Sequence, residues 1–347
     1  MPPEVTSTRN PAGTALVREG CKRWPAMPSR TLARKLRTAT PGVWPSLEAA
    51  RMAVIYARGR RYKKRKLPSD RIIPSTAPRV PHNPRTAYRL PESDEKPFRP
   101  HVVTVERQTD ALILSDIHLP YHSPKALRAA IDEGRRRECE ILILNGDTLD
   151  FHHLSRFIKD PRLRKAKGEI ELANELLDTL DELFPTALKI WKDGNHDERW
   201  SHYIMQQAAE VFDLVEKHAS LKNLLKLRQR GWKYVSDKRP ILLGKLHLIH
   251  GHEYPTPVLG PVNAARGLFL RAKGCALTGH HHQSSEHSEP TIDGSLITTW
   301  STGCLCGLSP AFARYNKWNH GAAIVTLAPS GDFRVHNFRI RDGAVLN

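Results

Sequence analysis

The stretch ALILSDIHLP, residues 111–120, runs four apolar residues straight into Ser115, Asp116, Ile117 and His118. A short apolar run of this kind reads as a buried strand. Its end carries metal-seeking or proton-handling side chains. The same event recurs along the chain. ILIL (141–144) leads into Asn145, Gly146, Asp147 and then Asp150. LKIW (188–191) leads to Gly194, Asn195, His196 and Asp197. LHLI (246–249) runs into His250, Gly251 and His252, and CALT (275–278) into Gly279, His280, His281 and His282. In open α/β sheets ligands bind beyond the carboxyl ends of the strands. Residues as distant as Asp116 and His282 are therefore expected to converge.

The surrounding pattern fits such a sheet. Between the first two runs, SPKALRAAIDEGRRREC reads as a helix with Pro124 in its first turn. GEIELANELLDTLDELF (168–184) repeats Ile170, Leu176, Leu177, Leu180 and Leu183 at helical spacing. Further helical segments are expected over about 197–230. SLITTW (295–300), GAAIVTL (321–327) and DFRVHNF (332–338) predict a late β region. Alternating strands and helices followed by a run of strands give an α/β body closed by a second sheet.

Carboxylate oxygens combined with imidazoles suit Mn, Fe, Zn or Ni. A two-metal site needs a shared carboxylate, about three further protein ligands per ion and ions roughly 3.5–4 Å apart. In this order, SDIHLP, GDTLD, DGNHDE, LIHGHE and TGHHH resemble the motif series of the calcineurin-like metallophosphoesterases. All five blocks are present, over residues 112–282. The resemblance implies two facing mixed β-sheets flanked by helices, a four-layer α/β/β/α sandwich, with residues 283–347 completing the second sheet.

It also implies roles. Asp116, His118 and His282 would hold one ion, Asn195, His250 and His280 the other, and Asp147 would bridge them. His196, with Asp197 as its partner, would face the phosphate as the catalytic group. His280 and His282 are expected to share a face, as residues i and i+2 of an extended segment do, with His281 pointing away. Asp150 would orient the loop or a bound water. His252 is a second-shell or substrate contact, or a satisfied surface histidine. His152 and His153 either line the site mouth or are plain loop residues. A water held between two dications ionises near pH 7 and could attack phosphorus in line, with His196 as general acid. Two divalent ions, by resemblance Mn, are the expected cofactors.

Fold and metals do not name the ester. Ser/Thr protein phosphatases usually carry Arg-Gly after GDxxD and a GNHE block, whereas here Phe151 and His152 follow Asp150 and the block is GNHD. The motifs are closer in style to DNA repair nucleases and small bacterial or phage phosphodiesterases.

The first hundred residues point to the partner. The chain of 347 residues has net charge +18, and residues 1–100 hold 22 Lys and Arg against 7 Asp and Glu, with 15 of the 26 prolines. A basic arm beside a nearly neutral body implies an anionic partner, most simply nucleic acid. Residues 1–28 read as disordered. Residues 29–66 read as a two-helix module, with Leu32 and Leu36 one turn apart, Pro41-Gly42 in the connection, and Ser46 capping a helix that presents Leu47, Ala50 and Val54. It ends in RGRRYKKRK, where Arg58, Arg60, Arg61, Lys63, Lys64, Arg65 and Lys66 would meet phosphates and Tyr62 could stack on a base. A proline-rich linker over 67–100 would join this region to a metallophosphoesterase domain at 101–347.

The five cysteines, at 21, 139, 275, 304 and 306, form no CxxC pair. They suggest a reducing, cytoplasmic compartment, and Cys304 and Cys306 read as buried small residues rather than ligands. No apolar run approaches the roughly 18 residues needed to span a membrane. Three functions stand: a phosphodiester hydrolase acting on DNA in preference to RNA; a small-molecule (cyclic) nucleotide phosphodiesterase or phosphatase; and a nucleic-acid-binding protein with a non-catalytic metal site. Self-association is left open.

Overall fold

A computed structural model describes residues 11–58, 91–95, 97–158, 166–254 and 263–346. The chain divides into two compact units, residues 1–94 and 95–347.

The first unit contains α1 (Pro11–Arg23), α2 (Ser29–Ala39) and α3 (Leu47–Ala57). Two of these helices match expectation, including the Ser46 cap, whose side chain accepts from Ala49 N. Helix α1 corrects the reading of residues 1–28 as disordered and makes the two-helix module a three-helix one. Its buried face consists of Gly13, Val17 and Gly20, one helical turn apart, so it presents almost no hydrophobic signal. Its glycines matter through close approach: a Cβ at Gly20 would lie 3.0 Å from a Leu36 methyl. Val17, Leu32, Ala33, Leu36, Trp44, Ala50 and Val54 form the core. The stretch 59–66, with Arg60, Arg61, Tyr62, Lys63, Lys64, Arg65 and Lys66, lies outside the described residues. Arg58 is described, and its guanidinium is spent internally: it donates to Ser29 Oγ at 3.3 Å and to the Trp24 carbonyl at 3.0 Å.

The second unit is built on two sheets. Its strands are β1 (His101–Val103), β2 (Thr109–Leu114), β3 (Ile141–Asn145), β4 (Leu188–Lys192), β5 (Lys233–Val235), β6 (Ile241–Leu243) and β7 (Leu246–Ile249). They continue with β8 (Ala276–Thr278), β9 (Ser285–Pro290), β10 (Leu296–Ser301), β11 (His320–Leu327), β12 (Phe333–Arg341) and β13 (Ala344–Leu346). One sheet holds seven strands in the order β13-β12-β11-β2-β3-β4-β5, and the other six in the order β1-β6-β7-β8-β10-β9. Strands β2 to β5 are mutually parallel. Helices α4 (Pro124–Arg136) and α5 (Ala166–Leu183) make the first two crossovers that parallel pairing requires.

The strands are apolar on both faces because both faces are covered. Ala111, Ile113, Ile141, Ile143 and Ile190 meet Leu243, Leu246, Leu248, Leu277 and Trp300 between the sheets. The alternate residues Leu112, Leu114, Leu142 and Leu144 pack on the other side with Ala130 of α4 and Leu177 and Leu180 of α5. Each such side chain contributes about 1.5–3 kcal/mol by leaving water. A later helix, Ala264–Ala272, covers the six-stranded sheet, with Leu268 against Ile249 and Ala276. Helix, sheet, sheet, helix is the expected four-layer sandwich, but residues 283–347 do not all complete the second sheet: β9 and β10 do, whereas β11 to β13 extend the first beside β2. Strand β9 carries no apolar signal, because SEHSEP is polar and pairs only with β10 at the sheet edge.

Candidate metal centre

Parallel pairing puts the carboxyl ends of β2, β3 and β4 on one edge of the first sheet, and those of β7 and β8 on the matching edge of the second. Cross-sheet hydrogen bonds draw the edges together. Asn145 Nδ2 donates to the Ile249 carbonyl at 2.9 Å, and His250 Nδ1 reaches the Asn145 carbonyl at 2.9 Å. His280 N donates to both Asp116 carboxylate oxygens, at 3.1 and 2.9 Å.

The result is one buried cluster. Asp147 Oδ2 lies 3.2 Å from His250 Nε2 and 3.7 Å from His118 Nε2. His282 Nε2 lies 3.1 Å from Asp116 Oδ1 and 3.3 Å from His118 Nε2. Donor atoms of Asp147, His250 and His280 lie mutually within 4.8 Å, as do those of Asp116, His118 and Asp147. Two groups therefore meet at Asp147.

Backbone conformation is part of the construction. Asp116, His118, Asp147, His280 and His282 all sit in the left-handed region, with φ of 57°, 53°, 52°, 66° and 57°. This costs of order 1–3 kcal/mol per residue and persists only where the surroundings impose it. It also corrects the expected geometry of the triple histidine. His280 and His282 are not alternate residues of an extended strand: each turns through its own left-handed residue, so His280 reaches Asp147 and His250 while His282 reaches Asp116 and His118. His281 lies against the His280 ring at 5.2 Å.

The atoms fit divalent cations. His118 Nδ1 is bonded to Asp150 Oδ1 at 2.9 Å, and His250 Nδ1 to a carbonyl, so the Nε2 atoms of both rings are left facing carboxylates. The buried Asn195 Oδ1 has no hydrogen-bond partner among the described protein atoms. A buried orphan costs about 1–3 kcal/mol, which a cation in contact with it would relieve. The electrostatics agree. Burial disfavours a charged His250, yet the Asp147 carboxylate lifts its pKa to about 10. Burial also disfavours a charged His282, yet Asp116 lifts it to about 9. His280 is pushed down to about 3 by burial and by His250. The acids thus demand positive charge at the centre, and imidazoles and carboxylates are ligands for borderline dications that can replace those protons.

Around the cluster the expected partners are partly exchanged. His196 does not pair with Asp197. Its Nδ1 faces the Asp150 carbonyl at 2.9 Å and Asp150 Oδ1 at 3.1 Å, and Arg199 Nη2 lies 3.0 Å from its Nε2. The Asp197 carboxylate is consumed by backbone amides, accepting from Leu149 N at 3.0 Å and Gly194 N at 2.9 Å. It shapes the loops and offers His196 nothing. Asp150 joins His118 to His196, in keeping with an orienting role. His252 is held by Glu198 Oε1 at 3.0 Å. His153 pairs with Glu169 at 3.2 Å. Cys304 and Cys306 are buried, and Cys306 Sγ is 3.9 Å from His282 Nδ1.

Three contributors escape a reading of the sequence. Arg199, in the first turn of the helix Arg199–Gln207, also donates to the Asp150 carbonyl at 2.7 Å. Glu253 accepts from His250 N and Gly251 N at 2.9 and 2.6 Å. Lys192, fully buried, holds Glu253 at 2.8 Å. The signal for Glu253 is its place two residues after Gly251, where a carboxylate closes a turn. A lysine ending an apolar strand gives no comparable sign.

The chain is similar to known proteins. The profile of the family "Calcineurin-like phosphoesterase" matches residues 110–296. Gene 54 protein of Mycobacterium phage L5 is 23% identical over 227 residues, 62% of this chain and 88% of that one. Among solved structures, a single mutant of Vps29 from Entamoeba histolytica covers 68% of this chain and 96% of its own at 14% identity and a TM-score of 0.37. The E. coli phosphoesterase YfcE covers 69% and 97% at 16% and 0.32. A Danio rerio dimetal phosphatase covers 70% and 98% at 13% and 0.33. With the family profile spanning more than half of its length and the five motif blocks meeting at one buried centre, this chain belongs to the calcineurin-like phosphoesterases and is a metal-dependent phosphoesterase.

Proposed function

We propose that the protein is a dinuclear phosphodiesterase acting on nucleic acid, DNA in preference to RNA. Asp116, His118 and His282 would hold one cation and Asn195, His250 and His280 the other, with Asp147 serving both. The observation that carries this is that donor atoms of Asp147, His250 and His280, and those of Asp116, His118 and Asp147, form two close groups sharing the Asp147 carboxylate. Mn²⁺ suits the mixture of carboxylate, amide and imidazole donors; Fe, Zn and Ni are the alternatives. When bound, such ions polarise a phosphoryl oxygen and acidify water.

The chain's own residues do the rest. His196 donates its Nδ1 proton to the Asp150 carbonyl and its Nε2 accepts from Arg199 Nη2, so Nε2 becomes free to exchange a proton with the leaving oxygen when Arg199 turns to a phosphate oxygen. Arg199 stands against that nitrogen and supplies a fixed positive charge for a phosphate oxygen. Asp150 fixes both His118 and His196, so ligand and catalytic group move as one piece.

The first unit supports a polyanionic substrate. Arg30, Arg34, Lys35 and Arg37 are exposed on α2, a helix with no acidic residue. Such a face binds phosphates with a steep salt dependence. The free state of all five cysteines supports a reducing, cytoplasmic setting. Among the described residues no helix is long and apolar enough to cross a membrane.

The test is a panel with Mn²⁺: single- and double-stranded DNA, RNA, cyclic nucleotides, bis(4-nitrophenyl) phosphate and a phosphomonoester. Cleavage of oligonucleotides and of the small diester is expected. The triple variant Arg30→Glu/Arg34→Glu/Arg37→Glu should raise KM for DNA and leave the small diester unaffected. Hydrolysis confined to the monoester or to cyclic nucleotides would replace this reading with a small-molecule enzyme. No turnover with any metal would leave a binding protein.

A further inference from the structure

The segment Gly307–Asn319, GLSPAFARYNKWN, contains three aromatic and two basic side chains and no acid. Tyr315 is fully exposed and Phe312 is 78% exposed, unusual for large rings that no element among the described residues covers. The segment is nonetheless well braced. Asn316 Nδ2 donates to the Leu308 and Ala313 carbonyls at 2.7 Å each, Trp318 N donates to Asn316 Oδ1 at 2.8 Å, and Arg314 donates to the Ser309 carbonyl at 2.9 Å. It is also anchored to the metal centre. Asn319 N donates to the His282 carbonyl at 3.0 Å, and the Trp318 ring stands 4.1 Å from the His282 ring, with Phe312 6.1 Å beyond. Beside Trp318 opens a groove of about 350 Å³ whose walls include Lys125, Arg339 and Arg341, with Asp342 as its acid.

We propose that this segment is a stacking platform for single-stranded nucleic acid next to the scissile phosphate. Phe312, Tyr315 and Trp318 offer faces to unpaired bases. Lys317 and the basic side chains of the groove take the flanking phosphates. Ring faces interleaved with cations bind single strands with little sequence preference, because every base has a π-face. A second copy of the chain is the rival occupant, but two such loops would bring like charges together without a carboxylate between them. The proposal rests on the nucleic-acid reading of the same centre and adds to it a preference for unpaired strands and the residues that impose it.

The experiment compares the full-length protein with Phe312→Ala/Tyr315→Ala, both positions exposed. KM for a single-stranded oligothymidylate should rise about 5-fold or more, while KM for a blunt hairpin and turnover of bis(4-nitrophenyl) phosphate stay at wild-type values. Tyr315→Phe, which keeps the ring, should restore most of the affinity in the Phe312-intact background. If wild type cleaves oligothymidylate and the double variant matches it, the platform is wrong and the nuclease reading stands. If wild type cleaves the small diester and no nucleic acid, both are wrong. A double variant that only shifts the sedimentation coefficient from dimer to monomer assigns the aromatics to self-association and overturns the proposal.

Discussion

Replacing Gly194 by alanine tests the centre with a single methyl group. A Cβ there would press on the backbone nitrogen and Oδ1 of Asp147, well inside van der Waals contact, and would lie 2.9 Å from its Cγ, where ordinary contact begins at 3.4 Å. The obstacle includes backbone, so no rotamer change of Asp147 relieves it. Asp147 is also bound on its other sides: Oδ1 accepts from His196 N at 2.8 Å and Oδ2 faces His250 Nε2 at 3.2 Å. The loop after β3 or the loop after β4 must therefore move by several tenths of an ångström. Overpacking of this kind costs about 1–3 kcal/mol, a drop in Tm of roughly 2–12 °C for a unit of this size. Turnover should suffer more. Misplacing a reacting group by about 1 Å costs on the order of 100-fold, and here the displaced carboxylate is the one proposed to serve both cations. The assay is bis(4-nitrophenyl) phosphate hydrolysis under saturating Mn²⁺, with metal content measured on the purified protein. Gly274→Ala is the control, since its nearest atom is 3.8 Å away. A Gly194→Ala protein with wild-type turnover and metal content would mean that Asp147 does not need the position described, and the assignment of the bridging carboxylate would fall.

Asp147→Ala should abolish turnover and metal loading together, whereas His196→Ala should cut kcat and leave the metal in place; metal analysis of the two purified variants separates the roles, and metal loss from the second would refute them. Asp197→Asn exchanges one acceptor oxygen for a donor opposite the amides of Leu149 and Gly194, so it should lower stability by about 1–3 kcal/mol and turnover with it; a thermal melt indistinguishable from wild type would restore Asp197 to a purely chemical role. Cys139, whose thiol is pushed up to about 12 by burial and the nearby Asp110, should resist an aromatic disulfide reagent at pH 8 in the folded protein, as should Cys304 and Cys306, while Cys21 and Cys275 react; fast labelling of all five thiols under native conditions would contradict the packing around them.

Much of the centre is legible in the sequence because each of its main side chains stands just past an apolar strand, and parallel pairing gathers strand ends without further instruction. The rest depends on loop geometry. A pairing of His196 with Asp197 is the natural expectation because the two are neighbours in the chain. In space, Asp197 turns inward to cap two amides, and Asp150, from another loop, takes its place. The triple histidine misleads for a related reason: strand alternation does not apply where the backbone has already left the strand. Helix α1 is invisible because glycines occupy two of its buried positions. In the first unit, Arg58 looks like one more phosphate contact in a basic run, yet its guanidinium closes a helix against Ser29 and the Trp24 carbonyl.

The left-handed residues connect these agreements and departures. A non-glycine side chain at positive φ is unfavourable in isolation, and this centre uses five of them within one cluster. Each reverses the chain immediately after a strand, so that its side chain points back over the strand end instead of out to solvent. That reversal lets residues far apart in sequence set imidazole nitrogens against carboxylate oxygens at 3.1–3.7 Å. The strain of five turns disfavours the empty arrangement, in which protons on His250 and His282 answer the carboxylates, and the two dense sheets beneath it are what hold it. Cations then act on stability in a specific way. Their binding would replace those protons and offset strain already present in the folded chain, so metal should raise Tm in wild type far more than in Asp147→Ala, where a carboxylate facing the centre is gone. Equal shifts in the two proteins would show that the strained loops are not organised around the cations at all.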